Sequence, residues 1–190
     1  MSAKFVALDI GNVCLEIHPE RCLEYFKLPE IPMELLAVLG ELECGRLDTG
    51  GLLHCFRQLL PAGYSDEQLM HGWKLAVGEE IAGIEAVVRR LTEQGCRVIF
   101  FSDTSEIHLE KVFRQLSFTG LIAGGVYSFE VGARKPQPQM YEAFERRFGK
   151  PVLYVDDRAC NIAAARERGW NAWQFSSAAE LEQQLSGGGF

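Results

Sequence analysis

Short apolar runs and amphipathic stretches alternate along this chain, and the two patterns predict different elements. The first run, residues 5–8, is followed at once by Asp9 and Gly11. A run of this length that ends near a glycine is typical of a buried parallel strand followed by a loop. After residue 83, similar runs recur between segments with helical spacing. Strands are predicted over 97–101, 125–128, 152–155 and 172–175, and helices over 105–116, 138–148, 158–168, 178–185 and from 84 to a stop at Gly95.

Residues 19–78 follow a different pattern, with leucines at helical spacing and no convincing strand. Ser65 and Gln68 form the capping box of a helix predicted over 65–77. Strands that alternate with helices indicate βαβ units, so the helical segment is an insertion. The sequence therefore predicts an α/β fold. Its Rossmann-like parallel sheet core, with helices on both faces, spans 1–16 and 80–190, and a small all-helical cap inserted after the first strand spans 17–79.

Composition narrows the possible partners without selecting a function. The chain has 190 residues and 47% hydrophobic residues, and its 19 basic against 26 acidic side chains give a net charge of −7. A net acidic chain without a basic cluster is not expected to bind nucleic acid or an anionic membrane. Without an export signal, the six cysteines are expected to be reduced and mostly to pack in the core of a cytoplasmic protein. The four histidines show no metal-ligand spacing.

Polar side chains stand where the predicted strands end, and ligands of open α/β sheets bind beyond the carboxyl ends of their strands. The residues at these positions are Asp9, Ser102, Asp103, Lys135, Asp156 and Asp157. Three carboxylates suit a hard cation such as Mg²⁺, while a hydroxyl and an ammonium suit phosphate oxygens. An aspartate beside them can attack phosphorus as a nucleophile. The set therefore indicates a site for phosphoryl transfer.

These residues also lie in four motifs in the order found in the haloacid dehalogenase-like hydrolase superfamily, which this chain resembles over nearly its whole length. The motifs are Leu8-Asp9-Ile10-Gly11-Asn12-Val13, Phe101-Ser102-Asp103-Thr104, Arg134-Lys135-Pro136, and Val155-Asp156-Asp157 followed by Asn161. Within that superfamily, the chain most resembles the branch of α-D-glucose-1-phosphate phosphatase. The helical insertion stands where the superfamily places its first type of cap.

The resemblance implies a metal site built by Asp9, Gly11, Asp156 and Asp157. In this assignment Asp9 is both the nucleophile and a Mg²⁺ ligand, and the Gly11 carbonyl is a second ligand. Asp157 is the third protein ligand, and Asp156 binds either directly or through water. An acidic protein must here bind an anionic substrate, and the metal and Lys135 are the obvious positive charges. The metal is therefore predicted to be indispensable.

The resemblance also implies how the phosphoryl group is held. Ser102 and the backbone of Asp103 would bind the transferring group, and Lys135 would pair with both the phosphate and Asp9. Phosphatases of the superfamily usually carry a second aspartate two residues after the nucleophile as general acid/base. Here that position is Gly11, which cannot transfer a proton, so the acid/base stays unassigned. Asp103 stands where the superfamily commonly has asparagine, and its side chain is expected to point away from the site.

Structural roles compete with several of these assignments. Asp156 and Asp157 can cap the helix that follows them, since aspartate is favoured at that position. Ser102 and Thr104 are alternative N-caps for the helix over 105–116.

Four further residues are given no catalytic role. His108, one to two turns into its helix, and Arg134 are expected at the surface, and Cys160 is expected to pack as a small apolar thiol. Arg46, in the turn over 43–47, is interpreted as a solvated charge.

The sequence thus predicts a Mg²⁺-dependent hydrolase of small phosphate esters, with a sugar phosphate as the leading substrate and an aspartyl-phosphate intermediate. Two alternatives stay open. One is a hydrolytic haloacid dehalogenase, which uses the same aspartate on carbon and needs no metal. The other is a catalytically weakened binding or regulatory protein, suggested by Gly11.

Overall fold

A five-stranded parallel sheet forms the centre of the protein, described here from a computed structural model that covers residues 3–187. The outer ends of the predicted core ranges, 1–16 and 80–190, therefore lie outside the described residues. The strands are β1 Lys4–Leu8, β2 Leu15–Ile17, β3 Val77–Glu80, β4 Cys96–Ser102, β5 Ile122–Tyr127, β6 Leu153–Asp156 and β7 Ala172–Gln174. The central sheet has the order β5-β4-β1-β6-β7, with every neighbouring pair parallel. This confirms the predicted Rossmann-like α/β fold.

Helices cover both faces of this sheet, and four more precede β3. Their bounds are α1 Pro19–Phe26, α2 Met33–Glu43, α3 Thr49–Leu59, α4 Asp66–Lys74, α5 Ile84–Glu93, α6 Glu106–Gln115, α7 Ser128–Val131, α8 Pro138–Phe148, α9 Ala159–Glu167 and α10 Ala178–Gly187. A short 3₁₀ turn, Thr119–Leu121, precedes β5. The helix predicted over 138–148 has the observed bounds of α8, and the other predicted helices and strands agree with observed elements to within a few residues.

Strand β1 shows why the sheet is buried on both sides. Its side chains alternate between the two faces, as the pleat of a strand requires. Val6 and Leu8 join an apolar cluster with Val87 of α5. Ala7 joins the opposite cluster with Phe144 of α8. Because both faces are covered, β1 is apolar from Phe5 to Leu8, and the polar Asp9 follows at the carboxyl edge of the sheet.

Helices α1–α4, called here the helical insertion, have an apolar core of their own. Phe26, Phe56 and Trp73 pack in this cluster, which also includes Ile107 from α6 of the sheet domain. The rings of Phe56 and Trp73 meet edge to face, with centroids 5.3 Å apart. Ser65 and Gln68 form the predicted capping box at the start of α4. The insertion therefore has its own packed core and contacts the sheet domain through α6.

A two-stranded antiparallel ribbon joins the insertion to the sheet domain. It is formed by β2 before the insertion and β3 after it, and Ile17 pairs with Val77. The sequence prediction of a region without strands missed the start of β3 at Val77. The segments through which the chain enters and leaves the insertion consequently lie side by side.

All six cysteines are free thiols, and none of the helices in the described part of the chain is long and apolar enough to cross a membrane. Cys14, Cys44 and Cys96 are buried, as expected of packing thiols. Cys160 is exposed on α9, so the packing role predicted for it is wrong.

Candidate active site

The carboxyl edge of the central sheet brings the predicted polar residues together in one cleft. Asp9 follows β1, Ser102 ends β4 and Asp156 ends β6. These three strands are neighbours in the sheet, so their ends lie side by side. Lys135 enters from the loop between α7 and α8. The cleft has a volume of about 160 Å³, and its wall includes Asp9, Ser102, Asp103, Lys135, Asp157 and the backbone of Gly11.

Lys135 is a buried cation whose three N–H donors all have acceptors. Its Nζ lies 2.9 Å from Asp9 Oδ1, 2.7 Å from Asp156 Oδ2 and 2.8 Å from the carbonyl oxygen of Phe101. The lysine side chain is 1% exposed. Burial lowers the pKa of Lys135, but the adjacent carboxylates outweigh it and the pKa is raised overall. The lysine therefore holds the two aspartates, and it can bind a phosphate oxygen only by exchanging one of these partners.

Asp156 is fully buried and saturated with hydrogen bonds. Its Oδ1 accepts from the backbone N–H of Arg158 at 2.8 Å and from Asn161 Nδ2 at 3.0 Å. Its Oδ2 accepts from Lys135 and from the hydroxyl of Tyr154. Desolvation raises the pKa of Asp156, but Lys135 and these hydrogen bonds lower it by more. The pKa is therefore lowered overall, and the group is held ionised. The N-cap of α9 is Arg158 and no side chain caps this helix, so the alternative capping role of Asp156 and Asp157 is wrong.

Asp9 has one anchored oxygen and one free oxygen. Its Oδ1 accepts from the Ile10 N–H at 2.8 Å and from Lys135 at 2.9 Å. Its Oδ2 accepts no hydrogen bond from the described residues. Burial raises the pKa of Asp9 to about 8 in the absence of a bound cation, although Lys135 opposes this change. The free oxygen faces a cleft where positive charge is needed to keep the carboxyl ionised.

Asp157 supplies the second carboxylate that can receive a cation. Asn12, which has a left-handed backbone (φ 54°), donates from Nδ2 to Asp157 Oδ2 at 3.3 Å. Asp9, Asp156 and Asp157 each offer one carboxylate oxygen, and these atoms lie within 4.8 Å of one another. A set of carboxylate oxygens at this spacing fits a hard divalent cation. Because Asp156 is already saturated, Asp9 and Asp157 are the carboxylates that fit as direct ligands.

Ser102 and Asp103 lie on the opposite side of the cleft from Asp157 along the sheet. Ser102 is 2% exposed, and its hydroxyl makes only a long contact, 3.4 Å, to the carbonyl of Asp103. Asp103 Oδ1 accepts from the backbone N–H of Lys135 at 2.9 Å, so this carboxyl ties the lysine loop to β4. Burial raises the pKa of Asp103. The N-cap of α6 is Ser105, not Ser102 or Thr104.

Charged residues for which the sequence interpretation predicted no role in the site also line the cleft. Arg134 and Arg158 are in its wall, so Arg134 is not merely a surface charge. Glu43, at the end of α2, reaches the cleft from the insertion and pairs with Arg134 Nε at 3.1 Å. Burial raises the pKa of Glu43, whose side chain is 15% exposed. Arg46 pairs with exposed Glu41 instead, as the solvated interpretation predicted.

Glu43 was within the turn noted in the sequence, but no local signal separated it from the exposed charges beside it.

The structure also corrects the position predicted for His108. It is half-buried, stacked on Trp73 at 5.1 Å between ring centroids, with Nε2 3.3 Å from the Trp73 carbonyl. The predicted surface position is therefore wrong, because α6 packs against the end of α4.

The protein is thus an α/β protein whose parallel sheet carries an acidic site at its carboxyl edge. The site consists of a buried aspartate, an acidic pair and a lysine that holds the carboxylates together. A family model described as haloacid dehalogenase-like hydrolase matches residues 51–169, which is more than half of the chain. The chain belongs to the haloacid dehalogenase-like (HAD) hydrolase family. This confirms the superfamily resemblance, whereas the glucose-1-phosphate phosphatase branch stays a prediction.

Solved structures agree with this fold over the whole chain. The magnesium complex of HAD family enzyme BT-2542 from Bacteroides thetaiotaomicron matches with a TM-score of 0.84 and 21% identity, covering 99% of this chain and 100% of that chain. A HAD-like family hydrolase from Porphyromonas gingivalis gives 0.76 and 16%, covering 100% of both chains. The L-2-haloacid dehalogenase RSc1362 gives 0.69 and 18%, covering 98% of this chain and 100% of that chain. At these identities the likeness establishes the fold alone.

Proposed function

We propose that this protein is a Mg²⁺-dependent phosphatase of small phosphate esters. The observation that carries the proposal is the state of Asp9, whose Oδ1 is fixed by Lys135 and the Ile10 N–H, while Oδ2 accepts no hydrogen bond within the part of the chain that the structure describes. A carboxylate held in this way is positioned as a nucleophile. BT-2542, which shares the fold, has been solved with magnesium and inorganic phosphate.

Asp9, Asp157 and the Gly11 carbonyl are the residues proposed to hold Mg²⁺, with Asp156 in reach only through water. Mg²⁺ supplies positive charge that offsets the repulsion between the anionic nucleophile and the anionic substrate. Asp156 has a separate task, which is to hold Lys135 against Asp9. Ser102, whose hydroxyl has no strong internal partner, donates to a phosphate oxygen.

The proposed reaction has two displacements at phosphorus. In the first, Asp9 Oδ2 forms a bond to phosphorus, the bond from phosphorus to the ester oxygen breaks, and the departing alkoxide takes a proton. In the second, water attacks the aspartyl-phosphate, gives up a proton, and the bond between Asp9 and phosphorus breaks. The products are an alcohol and inorganic phosphate, and Asp9 is regenerated.

Glu43 is proposed as the group that gives and takes these protons. Gly11 stands where a second aspartate would do so, and Glu43 is the carboxyl that the insertion places in the cleft. Its raised pKa favours the protonated form needed for the first displacement. Arg134 Nε lies 3.1 Å from a carboxylate oxygen of Glu43. This ion pair fixes the orientation of the Glu43 carboxyl on the side of the cleft where the leaving group is proposed to lie.

The first test is Asp9→Asn, measured by release of inorganic phosphate from a panel of phosphate esters. The variant should lose turnover by at least about 10³-fold, because an amide oxygen is a poor nucleophile. Circular dichroism should show an intact fold, and Asp66→Asn on exposed α4 is the control. Chelation of Mg²⁺ should abolish wild-type turnover. Turnover retained in Asp9→Asn would overturn the mechanism.

Hydrolytic dehalogenation is the second candidate, because a structure named L-2-haloacid dehalogenase shares the fold. In that reaction Asp9 would attack carbon and halide would leave, with no need for a metal. The acidic pair beside Asp9 favours phosphate transfer instead, since it provides a cation site that dehalogenation does not require. Halide release from 2-haloacids in excess chelator would favour this candidate.

Two finer points of the proposal concern substrate and location. The sequence resemblance predicts a sugar phosphate, whereas the apolar space beside the cleft favours a different leaving group. The six free thiols fit a reducing compartment such as the cytoplasm.

A further inference from the structure

A cavity of about 220 Å³ lies between the helical insertion and the sheet domain. Its wall includes Gly11, Ser102, Asp103 and Glu43, and all four also line the cleft that holds Asp9. The two spaces are therefore adjacent parts of one site. A phosphoryl group bound beside Asp9 would direct the remainder of its ester into this cavity.

Most of the cavity wall is hydrocarbon. The insertion contributes Phe26, Leu35 and Leu39, and the sheet domain contributes Ile10 and Val112. Such a wall offers neither donors nor acceptors, so a group bound there loses its hydration without replacement.

Most polar side chains of the wall already have partners, and two buried polar atoms of lining residues, Trp73 Nε1 and Asp103 Oδ2, have no hydrogen-bond partner among the described residues. Glu43 pairs with Arg134, and Asp103 Oδ1 accepts from the Lys135 N–H. His108 Nε2 faces the Trp73 carbonyl. Glu43 and Asp103, like Ser102, also belong to the cleft. Polar contacts are thus concentrated where the phosphoryl group would bind, and the remote part of the cavity is hydrocarbon apart from the edge formed by His108 and the Trp73 indole.

The approach to the cavity is apolar as well. Ile17 on β2 and Leu36 on α2 both line the cavity, and they are 39% and 43% exposed. Large aliphatic side chains with this exposure are normal when scattered, but these two line the same cavity, one from the ribbon and one from the insertion. The solvent-exposed part of the wall is therefore hydrocarbon on both sides.

Size and polarity together limit the leaving group. An apolar cavity of about 150 Å³ is known to accept a benzene-sized ring, so about 220 Å³ suits a compact group of roughly six to eight carbons. A sugar of equal size carries several hydroxyls, and each one buried without a partner weakens binding. The wall therefore discriminates against sugars.

We infer that the substrate is a phosphate monoester of a compact apolar alcohol, with the hydrocarbon seated between Leu39 of the insertion and Ile10 of the sheet domain. This inference rests on the proposed phosphatase function and names its substrate class. It replaces the sugar phosphate of the sequence prediction.

The test compares two esters of the same carbon ring, cyclohexyl phosphate and myo-inositol 1-phosphate. Both have a secondary alcohol as leaving group, so they differ in the hydroxyls that enter the cavity. With Mg²⁺ present, kcat/KM should be at least tenfold higher for cyclohexyl phosphate, and most of the difference should lie in KM. Equal efficiency, or a preference for myo-inositol 1-phosphate, would overturn the inference and leave the phosphatase function intact.

A pair of variants on α2 tests whether the preference for cyclohexyl phosphate arises in the cavity. Leu39→Gln places an amide in the cavity wall and should reduce the preference for cyclohexyl phosphate at least threefold. Ala37→Gln makes the same type of change at an exposed position of the same helix and should leave the preference unaltered. An unchanged preference in Leu39→Gln would contradict the assigned position of the ring.

Measurements of ester binding distinguish an error in the inferred substrate class from an error in the proposed phosphatase function. If no ester releases phosphate, the phosphatase function is wrong. Calorimetry on Asp9→Asn, with and without Mg²⁺, then decides the inference. Binding of cyclohexyl phosphate at least tenfold tighter than that of myo-inositol 1-phosphate supports an apolar ligand, and equal binding or none overturns it.

Discussion

Lys135 determines the charge balance of the candidate site. It is a buried cation between two buried carboxylates, Asp9 and Asp156, and a backbone carbonyl takes its third donor. A single residue therefore neutralises part of the acidic cluster and fixes the direction of the nucleophile. The sequence placed Lys135 at a strand end, but the number of its partners depends on side-chain packing that no motif specifies.

The substitution Lys135→Met should destabilise the protein at pH 7 by about 3 kcal/mol or more, because it leaves buried carboxylates without a counter-charge. The loss should be smaller at pH 4, where protonation removes part of the repulsion. Urea denaturation at both pH values measures it. Lys150→Met is the control, since Lys150 is exposed and donates to a helix-end carbonyl, that of Arg168. A loss below about 1 kcal/mol at pH 7 would contradict this account.

Glu43 gives a second prediction for a single residue. In Glu43→Gln, the first turnover of cyclohexyl phosphate should slow by about 10²-fold, because its alkoxide needs a proton to leave. The first release of 4-nitrophenol from 4-nitrophenyl phosphate should stay fast, since that leaving group needs no proton, while later turnovers slow.

Rapid-quench or stopped-flow measurements of the first turnover distinguish these cases. Glu41→Gln, at an exposed residue paired with Arg46, is the control. An equal loss in the first turnover of both esters would indicate a structural role for Glu43 and contradict the proton transfer.

At the scale of elements, helix α6 connects the sheet domain to the insertion. Its His108 stacks on Trp73 near the end of α4, and its Lys111 donates to the carbonyls of Lys74 and Val77, each at 2.7 Å. One helix thus carries both an aromatic contact and a cap for the end of α4. These contacts also hold the first residue of β3.

This packing makes the contact between α6 and α4 dependent on pH. Burial, with nearby Lys111 and Lys74, lowers the pKa of His108 from 6.5 to about 4. The folded state therefore favours the neutral ring, and stability that is complete above pH 6.5 is lost as the pH falls towards 4. The loss should reach about 3 kcal/mol at most.

Urea denaturation between pH 7 and pH 4 measures this loss against two variants. His108→Phe keeps a ring against Trp73 and should remove that part of the pH dependence. His71→Gln, at an exposed position on α4, should keep it. The same pH dependence in His108→Phe as in the wild type would refute the assignment.

Elements that carry their own signals could be predicted from the sequence. Helix α8 begins at Pro138 and ends before Gly149, and its predicted and observed bounds are identical. Strand β3 was missed because Val77-Gly78-Glu79-Glu80 has no apolar alternation, and it forms by pairing with β2. Likewise, Asp9 and Asp157 could be found from strand ends, whereas Glu43 could not, because its place depends on how the insertion packs.

For the molecule as a whole, the net charge of −7 conceals a mixed site. Arg134 and Arg158 line the cleft together with Lys135. The sequence interpretation counted only the lysine and the metal as positive, so it overstated the electrostatic problem of binding an anion. Close to Asp9 and Asp157 the balance is still acidic, and this is where a cation is needed.

Mg²⁺ should therefore stabilise the whole protein. A cation that binds only the folded state adds about 2.7 kcal/mol when its concentration is 100 times its Kd. Thermal unfolding in a Mg²⁺ titration measures this gain. Asp157→Asn should reduce it strongly, whereas Asp48→Asn, at the N-cap of α3, should not. No gain in the wild type at millimolar Mg²⁺ would contradict the proposed cation site.

The ribbon of β2 and β3 has a consequence for how such a protein can diversify. Because Ile17 and Val77 are paired, the chain leaves the sheet domain and returns to it at neighbouring points. A segment with adjacent ends can be lengthened, shortened or exchanged without rerouting the rest of the polypeptide. Asp9, Lys135 and Asp157 lie outside that segment and would be inherited unchanged, whereas Glu43 and the apolar side chains of α2 lie inside it. Exchange of the segment between relatives would therefore keep the nucleophile and the proposed cation ligands, and it would change the proposed proton donor together with the insertion's share of the alcohol pocket.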